Sequence, residues 1–267
     1  MTNRIQSLFS RKSKNLLSVY FTAGYPQLDD TLSILKALES QGVDMAEIGI
    51  PFSDPMADGP VIQASSTLAL NNGMSLRVLF EQLTDVRKDI SMPLLLMGYL
   101  NPIMQFGFEE FCRSCQRVGV DGMIVPDLPF HDYLQNYRPI ADYFGLRMIM
   151  LITPETSEER IRWIDTHTEG FIYMVSSAST TGAQEHFGQS SQSYFERVQN
   201  MGLKNRCLIG FGISNRDTME TAQKYSAGAI VGSKFISLLA ESSSPEVAVT
   251  KLLANFLFQA PSPSEIR

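Results

Sequence analysis

Two carboxylates that lie close together in the chain could carry acid–base chemistry. Glu47 lies within the apolar run Met45–Ile50, and Asp58 lies in the proline- and glycine-containing turn that follows, together with Asp54. A carboxyl group in an apolar pocket has a raised pKa and can give and take protons near neutral pH. An acid on a strand and a second acid on its loop suit proton transfer at two points of one small substrate. Taken alone, a strand glutamate is as often a paired structural group, and a loop aspartate is usually a turn former.

The alternation of a β-strand predicts which side chains accompany Glu47. Successive side chains of a strand point to opposite faces. Glu47 therefore shares a face with Met45 and Gly49, whereas the opposite face carries only apolar side chains, those of Ala46, Ile48 and Ile50.

Composition and charge restrict the class of protein. The chain has 267 residues, of which 44% are hydrophobic and 19% charged, an ordinary globular composition. The net charge is −6, and the basic cluster Arg11, Lys12 and Lys14 is too short for a nucleic-acid site. No apolar stretch approaches the roughly 20 residues that span a bilayer, and the N-terminal residues lack a signal-peptide core. We therefore expect a cytoplasmic protein that binds neither nucleic acid nor membranes.

The three cysteines do not predict a disulfide framework or a metal site. Cys112 and Cys115 form a C-x-x-C pair, but no second pair or histidine motif supplies the two further ligands that zinc needs. The pair lies in FEEFCRSCQRVGVDG, which has the pattern of a helix leading into a strand. We expect two thiols on one helix face, with Cys207 unpaired.

Apolar strand-like runs alternate with helical patterns along the chain. The strand-like runs are Leu16–Thr22, Met45–Ile50, Leu94–Gly98, Gly122–Val125, Arg147–Ile152, Phe171–Val175, Cys207–Gly210 and Ala229–Val231. The helical patterns include Leu32–Ser40, Leu76–Asp89, Phe108–Val118, Glu158–Thr166, Gln192–Gln199 and Asp217–Tyr225. The order predicts an α/β fold, a single (β/α)₈ TIM barrel with a short N-terminal helix. We expect residues 1–259 to form this catalytic domain and residues 260–267 to be a frayed tail.

An internal repeat supports the barrel. Residues 41–55 and 118–133 both read Gly-Val-Asp, strand, Pro-Phe and then an acid. A doubly wound open sheet is the structural alternative, but it would need a G-x-G-x-x-G motif after an early strand, and the sequence has none.

The last two predicted strands end in glycine-containing loops. The first, IGFGIS, contains Gly210, Phe211, Gly212 and Ser214, and the second, VGSKF, contains Gly232, Ser233 and Lys234. The loops after the last two strands of a TIM barrel commonly bind phosphate, because glycines let backbone N–H groups approach an anion. The alternative is that these glycines serve only tight turns. Lys234 either adds charge to this site or faces solvent.

Two further features are predicted to border the site. Residues 176–191, SSASTTGAQEHFGQSS, form a long apolar-poor stretch with the character of a mobile lid. Tyr173 ends the sixth predicted strand, where it is either a core residue or a residue that faces the acids.

Several motifs together resemble one known family. YFTAGYP at 20–26, GVDMAEIGIPFSDPMADGP at 42–60, LNP at 100–102, PDLP at 126–129, TGA at 181–183 and GFGIS resemble the tryptophan synthase alpha subunit over almost the whole chain. The resemblance implies retro-aldol cleavage of indole-3-glycerol phosphate to indole and glyceraldehyde 3-phosphate, without a metal or other cofactor. It implies that Glu47 and Asp58 are the acid–base pair.

The resemblance also implies roles for residues around these acids. Thr181 and Gly182 would belong to the mobile loop over the phosphate, although the preceding residues, Ser177 to Thr180, depart from the larger or basic residues expected there. The hydroxyl group of Tyr173 would hold Glu47 or a substrate oxygen. Met97 and Phe211 either line a flat aromatic pocket or are ordinary core residues. A rim of turn residues would contact a beta subunit in an α2β2 tetramer: Pro51, Asp54, Asn101 and Pro129.

Two other functions remain open at this stage. One is another phosphate-binding barrel enzyme, such as an isomerase or indole-glycerol-phosphate synthase, which would need different acid and lysine positions. The other is a non-catalytic alpha-like subunit that only activates a partner, against which the presence of both Glu47 and Asp58 argues.

Overall fold

The computed structural model describes residues 3–176 and 186–256. Within these residues nine parallel strands form one sheet: β1 Leu16–Thr22, β2 Met45–Gly49, β3 Leu94–Met97, β4 Gly122–Ile124, β5 Arg147–Met148, β6 Met150–Ile152, β7 Phe171–Val175, β8 Arg206–Gly210 and β9 Gly228–Val231. The strand order is β5-β4-β3-β2-β1-β9-β8-β7-β6. All eight predicted strand positions are thus occupied.

The sheet closes through β5 and β6, which are two parts of one predicted strand. Only Ile149 separates them, and its N–H still donates to Met123 O on β4 at 2.9 Å. β5 pairs with β4, and β6 pairs with β7, so the two ends of the strand order meet within one short stretch of chain. The predicted barrel with an N-terminal helix is confirmed.

Helices surround the barrel and follow most of its strands. They are α1 Arg4–Arg11, α2 Asp30–Ser40, α3 Pro60–Asn71, α4 Leu76–Gln82, α5 Leu100–Phe106, α6 Phe108–Val118, α7 Phe130–Asp132, α8 Arg138–Tyr143, α9 Glu158–His167, α10 Gln189–Asn200, α11 Arg216–Tyr225, α12 Ser233–Ala240 and α13 Pro245–Phe256. A π-helical turn at Tyr133–Tyr137 joins α7 to α8.

The prediction of one helix over Leu76–Asp89 is wrong. α4 ends at Gln82, and a separate 3₁₀ turn covers Val86–Lys88. Thr and Asp follow Leu83, and both residue types are weak helix formers. Arg87 lies in the 3₁₀ turn after this break. Its guanidinium donates to Gly119 O at 2.6 Å and to Asp121 Oδ2 at 2.6 Å.

Strand alternation separates the barrel interior from the layer that contacts the helices. Met45 on β2 belongs to the interior cluster, whereas Ala46 and Ile48 pack in the larger cluster with the helices. Glu47 therefore lies on the interior face, as the sequence predicted.

The amino-terminal end of the barrel is closed by α1. Asn3 caps this helix by accepting from Ile5 N at 2.9 Å, and its Nδ2 donates to Asp121 O at 2.8 Å. Ile5 and Leu8 are buried in the interior cluster. Within the described residues, α1 therefore blocks the approach of a ligand from the amino-terminal end of the strands.

The internal repeat has a structural explanation at this closed end. Asp44, which precedes β2, accepts from Leu17 N at 2.8 Å and from Lys12 Nζ at 2.7 Å. Asp121, which precedes β4, accepts from Leu94 N at 3.0 Å. Each aspartate ties the start of its own strand to the neighbouring strand, so the Gly-Val-Asp repeat fixes strand pairing.

Cys112 and Cys115 lie on α6 and are buried, unpaired thiols. Burial raises the pKa of both groups, which disfavours the reactive thiolate. The prediction of two thiols on a helix face is confirmed. In the described ranges, no three His, Cys, Asp or Glu side chains are grouped so that they could hold a metal ion. No helix there has the length and apolar character needed to cross a bilayer.

Candidate active site

Glu47 is a fully buried acid with one free oxygen. It lies in the middle of β2, and Ser18 Oγ on β1 donates to its Oε1 at 2.8 Å. Its Oε2 has no hydrogen-bond partner within the described residues. Burial raises the pKa of Glu47 to about 8, against the opposing effect of the Ser18 hydrogen bond. The carboxyl group is therefore mostly neutral at pH 7 and can act as a proton donor.

Asp58 lies on the loop between β2 and α3 and is held by Tyr99. The Tyr99 hydroxyl donates to Asp58 Oδ2 at 3.0 Å and accepts from the backbone N–H groups of Met56 at 3.2 Å and Ala57 at 3.1 Å. Burial raises the pKa of Asp58, and the Tyr99 hydrogen bond opposes that rise. One phenol thus orients both the loop and its acid.

A cavity of about 340 Å³ opens at the carboxyl-terminal end of the strands. Its walls combine apolar side chains with polar groups. Of the predicted site residues, those that line it are Asp58, Tyr173, Phe211, Gly212, Gly232 and Ser233; Tyr20, Met97 and Lys234 also line it. The chain segments that contribute these residues are far apart in sequence, and only closure of the barrel brings them together.

Glu47 is not among the residues that line this cavity, but it is electrostatically coupled to two tyrosines that are. Tyr20 and Tyr173 line the cavity, and the charge of Glu47 contributes, after burial itself, to raising the pKa of each phenol. Asp58 acts on both phenols in the same direction. The four side chains therefore form one electrostatically coupled group, in which both tyrosines remain neutral.

Both tyrosines lie over glycines of the adjacent strand. A Cβ atom on Gly49 would lie 2.2 Å from the hydroxyl oxygen of Tyr20, and one on Gly210 would lie 2.3 Å from that of Tyr173. Real Cβ atoms do not approach oxygen so closely, so both positions need glycine. Gly210 is thus explained by Tyr173, although the sequence grouped it with the phosphate loop.

The two glycine-containing loops differ in the backbone N–H groups that they can offer to an anion. After β8, Ser214 N and Asn215 N both donate to Thr218 Oγ1, which places these N–H groups in the cap of α11. After β9, Phe235 N donates to Gly232 O at 2.8 Å. The first N–H groups of a helix have no acceptor within the helix, so Ser233 and Lys234 at the start of α12 can offer theirs to an anion.

The backbone of the loop after β8 has a conformation that would still let a ligand approach it closely. Phe211 and Gly212 both have positive φ values, +67° and +75°. A phenylalanine in this region is uncommon. The conformation brings the Phe211 ring to 5.9 Å from the Tyr173 ring and allows its carbonyl oxygen to accept from Ser176 Oγ at 2.7 Å.

The predicted rim residues lie outside this cavity. Pro51 is buried and lines a second, shallower hollow, whereas Asp54, Asn101 and Pro129 are exposed. Ser53 Oγ donates to Asp54 Oδ2. Thr181 and Gly182 lie outside the described residues, as does most of the predicted lid 176–191 and the tail 260–267.

Sequence reasoning missed three residues of the site. They are Ser18, Tyr20 and Tyr99, which contact or couple to the two acids. Alternation along β1 would have placed Ser18 and Tyr20 on one face, and Tyr99 lies two residues after the end of β3 and directly before the LNP motif. No local signal, however, connects these residues to Glu47 or Asp58.

Comparison with known proteins identifies the family of this chain. A family model described as tryptophan synthase alpha chain matches residues 6–260. The tryptophan synthase alpha chain of Parabacteroides distasonis is 62% identical over 251 residues, which cover 94% of this chain and 98% of the relative.

Solved structures share the fold. The tryptophan synthase alpha chain of Legionella pneumophila superposes with a TM-score of 0.84 at 31% identity and covers 95% of both chains. A chain of tryptophan synthase from M. tuberculosis gives a TM-score of 0.82 at 26% identity and covers 95% of this chain and 99% of its own. This chain belongs to the tryptophan synthase alpha chain family, the carbon–carbon lyases that cleave indole-3-glycerol phosphate in tryptophan biosynthesis.

Proposed function

We propose that Glu47 and Asp58 carry the acid–base chemistry by which this chain cleaves indole-3-glycerol phosphate to indole and glyceraldehyde 3-phosphate. The observation that supports this assignment best is the state of Glu47, which is fully buried, has one oxygen without a partner and has a pKa raised to about 8. An acid that is neutral at pH 7 can donate a proton to carbon.

The proton transfers balance with Glu47 as a shuttle. Neutral Glu47 donates its proton to C3 of the indole ring, and the Asp58 carboxylate takes the proton of the indole N–H, so the ring carries no net positive charge. The Glu47 carboxylate then removes the proton of the side-chain hydroxyl. The carbon–carbon bond breaks, its electron pair returns to the ring, and the side chain leaves as an aldehyde. Glu47 ends protonated, ready for another turnover, and Asp58 returns the proton to nitrogen.

The substrate phosphate fits the end of the cavity at Gly212, Gly232 and Ser233. The first N–H groups of α12 and the positive end of its dipole favour an anion there, and Lys234 lines the same end. The indole ring fits between the apolar side chains of Met97, Phe211 and Ile230. Thr181 and Gly182 are also proposed to bind the substrate.

The experiment that tests the assignment is indole release by the isolated chain. Glu47→Gln keeps the shape of the side chain but removes its titration, so the rate should fall at least 10²-fold, the low end for lost general acid–base catalysis. Asp58→Asn should lower kcat as well. If Glu47→Gln turns over at close to the wild-type rate, the assignment of the shuttle is wrong.

A beta subunit that consumes the indole is the proposed partner, in an α2β2 tetramer. Asp54, Asn101 and Pro129 are exposed. Two exposed methionines lie close in sequence to Asp54 and Asn101: Met56 at 80% and Met104 at 44%. Exposed apolar side chains rimmed by polar groups are typical of protein interaction sites. Binding of a beta subunit in a pull-down, and stimulation of indole release by it, would test this partner.

Two further assignments belong to the same proposal. Residues 1–259 act as one catalytic domain, because every described strand belongs to one sheet. The location is cytoplasmic, in keeping with three cysteines that are all free thiols.

A further inference from the structure

Glu47 is oriented by a donor on the neighbouring strand. Ser18 is fully buried, and its hydroxyl group reaches Glu47 Oε1 at 2.8 Å although the residues are 29 positions apart in the chain. In the register of β1 and β2, Ser18 lies opposite Met45, and Tyr20 lies opposite Glu47. The contact is therefore a diagonal one across the interior face, which the strand pairing fixes.

The two carboxyl oxygens of Glu47 have different surroundings. Oε1 accepts from Ser18, whereas Oε2 is buried and has no partner in the described parts of the chain. A neutral carboxylic acid has one acceptor oxygen and one oxygen that carries the hydrogen. Because the Ser18 hydrogen already points at Oε1, a proton on Oε1 would face another hydrogen. The neutral acid therefore carries its proton on Oε2.

We propose that Ser18 is a positioning residue that keeps the transferable proton of Glu47 on Oε2 and stabilises the carboxylate through Oε1 once that proton has left. The inference rests on the proposed function, in which Glu47 is the proton shuttle. The proton on Oε2 moves to C3 of the indole ring, and the substrate hydroxyl proton later returns to Oε2. Ser18 keeps its own proton throughout and changes only the strength of its hydrogen bond.

The groups around Glu47 allow its titration to be observed. Tyr20 on β1 and Tyr173 on β7 are the phenols coupled to it, and burial raises the pKa of both, so they remain neutral where Glu47 titrates. Asp58 is the other acid coupled to these phenols. Activity needs Asp58 ionised and Glu47 protonated, so the alkaline limb of the kcat profile reports Glu47 and the acidic limb reports Asp58.

The test compares side chains with and without a hydroxyl group at position 18. Ser18→Ala should lower kcat about tenfold, as expected for loss of one hydrogen bond to a charged group, with KM within about twofold. The alkaline limb should move up by about one pH unit, because the lost bond favours the carboxylate. Ser18→Thr should behave like wild type and Ser18→Val like Ser18→Ala, because threonine and valine have the same shape and differ in the hydroxyl group.

The control is another buried serine that donates to a glutamate. Ser114 on α6 is 1% exposed, and its Oγ lies 3.3 Å from Glu110 Oε1, away from the cavity. Ser114→Ala should leave kcat and both limbs unchanged. A purely structural role for Ser18 would lower kcat without moving the alkaline limb.

The outcomes separate this inference from the function on which it rests. An unchanged alkaline limb in Ser18→Ala, while Glu47→Gln is inactive, would overturn the role of Ser18 alone. Full activity of Glu47→Gln would overturn the shuttle and with it this inference. If Ser18→Ala does not fold, as judged by circular dichroism, the threonine and valine variants decide: equal kcat and equal alkaline limbs in both would refute the proposal.

Discussion

Tyr99 and Asp58 form a hydrogen bond that joins the end of one barrel strand to the loop after another. The hydroxyl group of Tyr99 donates to Asp58 Oδ2 at 3.0 Å across 41 positions of sequence, while the N–H groups of Met56 and Ala57 donate to the same hydroxyl oxygen. The phenol therefore sets the position of the acid that is proposed to accept the indole N–H.

Tyr99→Phe should lower kcat about tenfold, the effect of one hydrogen bond to a charged group. The lost bond normally lowers the pKa of Asp58, so that pKa should rise and the acidic limb of the pH profile should move to higher pH. A kcat profile from pH 5 to pH 9 measures both effects. Tyr143→Phe is the matched control, because Tyr143 is 81% exposed. An acidic limb that stays in place would contradict the coupling.

Glu47→Gln should stabilise the fold, and more so at high pH. The folded pKa of about 8 lies above the value of 4.5 for an unperturbed group, so the folded state binds more protons than the unfolded state between these values. Stability therefore falls as the pH rises through this window. The gain from Glu47→Gln should be larger at pH 9 than at pH 6 by roughly 2–3 kcal/mol.

Denaturant unfolding of both proteins at these two pH values measures this difference. Glu196→Gln is a suitable control for a carboxylate on the surface of the molecule, because Glu196 is exposed and lies outside the cavity. If the Glu47→Gln gain is equal at both pH values, then Glu47 does not titrate between them, and its pKa is not raised as the burial indicates.

Lys234→Met should weaken the binding of glycerol 3-phosphate about three- to tenfold, because it removes one positive charge from the phosphate end of the cavity while keeping the length of the side chain. The salt dependence of binding should fall in the same variant, since screening acts on the lost charge. Isothermal titration at two salt concentrations measures both quantities. Lys251→Met on α13 is the control, because Lys251 is exposed and outside the cavity. Wild-type affinity in Lys234→Met would place this lysine in solvent.

Gly232→Ala should also weaken the binding of glycerol 3-phosphate. The cause here is crowding by the added methyl group rather than the loss of a charge. A Cβ atom at this position would lie 3.5 Å from the Tyr20 ring, an ordinary contact, so the neighbouring side chain does not forbid the methyl group. We expect a rise in KM for the phosphate ester with a smaller change in kcat. A change in kcat alone would instead indicate that Tyr20 has moved.

Asp54→Ala should reduce stimulation by the beta subunit more than it reduces the activity of the isolated chain. Asp54 is exposed and lies outside the cavity, and a charge at the rim of an interface acts mainly on association. The measurement is the ratio of indole release with and without the partner. Asp85→Ala, an exposed aspartate that pairs with Lys88, should leave this ratio unchanged. Equal ratios in wild type and Asp54→Ala would argue against a contact at Asp54.

The local sequence pattern was sufficient to predict the strands and the face of β2 on which Glu47 lies. Apolar runs predicted all eight strand positions because a parallel sheet buried on both faces needs continuous apolar segments. Period-two alternation placed Glu47 on the side of Met45. The predicted extent of α4 was wrong because Arg87 has long-range partners, Gly119 and Asp121. Helical periodicity carries no information about such partners.

The sequence by itself determined the barrel and the family and nominated the two acids, since these depend on periodicity and on motifs within short stretches of chain. Only the tertiary structure decided what holds the acids and which groups are free. The bonds from Ser18 to Glu47 and from Tyr99 to Asp58 join residues on different strands and loops, and the pairing of β7 with β8 brings Tyr173 over Gly210. Such contacts depend on which strands are neighbours and on their register, and register is a property of the closed sheet rather than of any one segment.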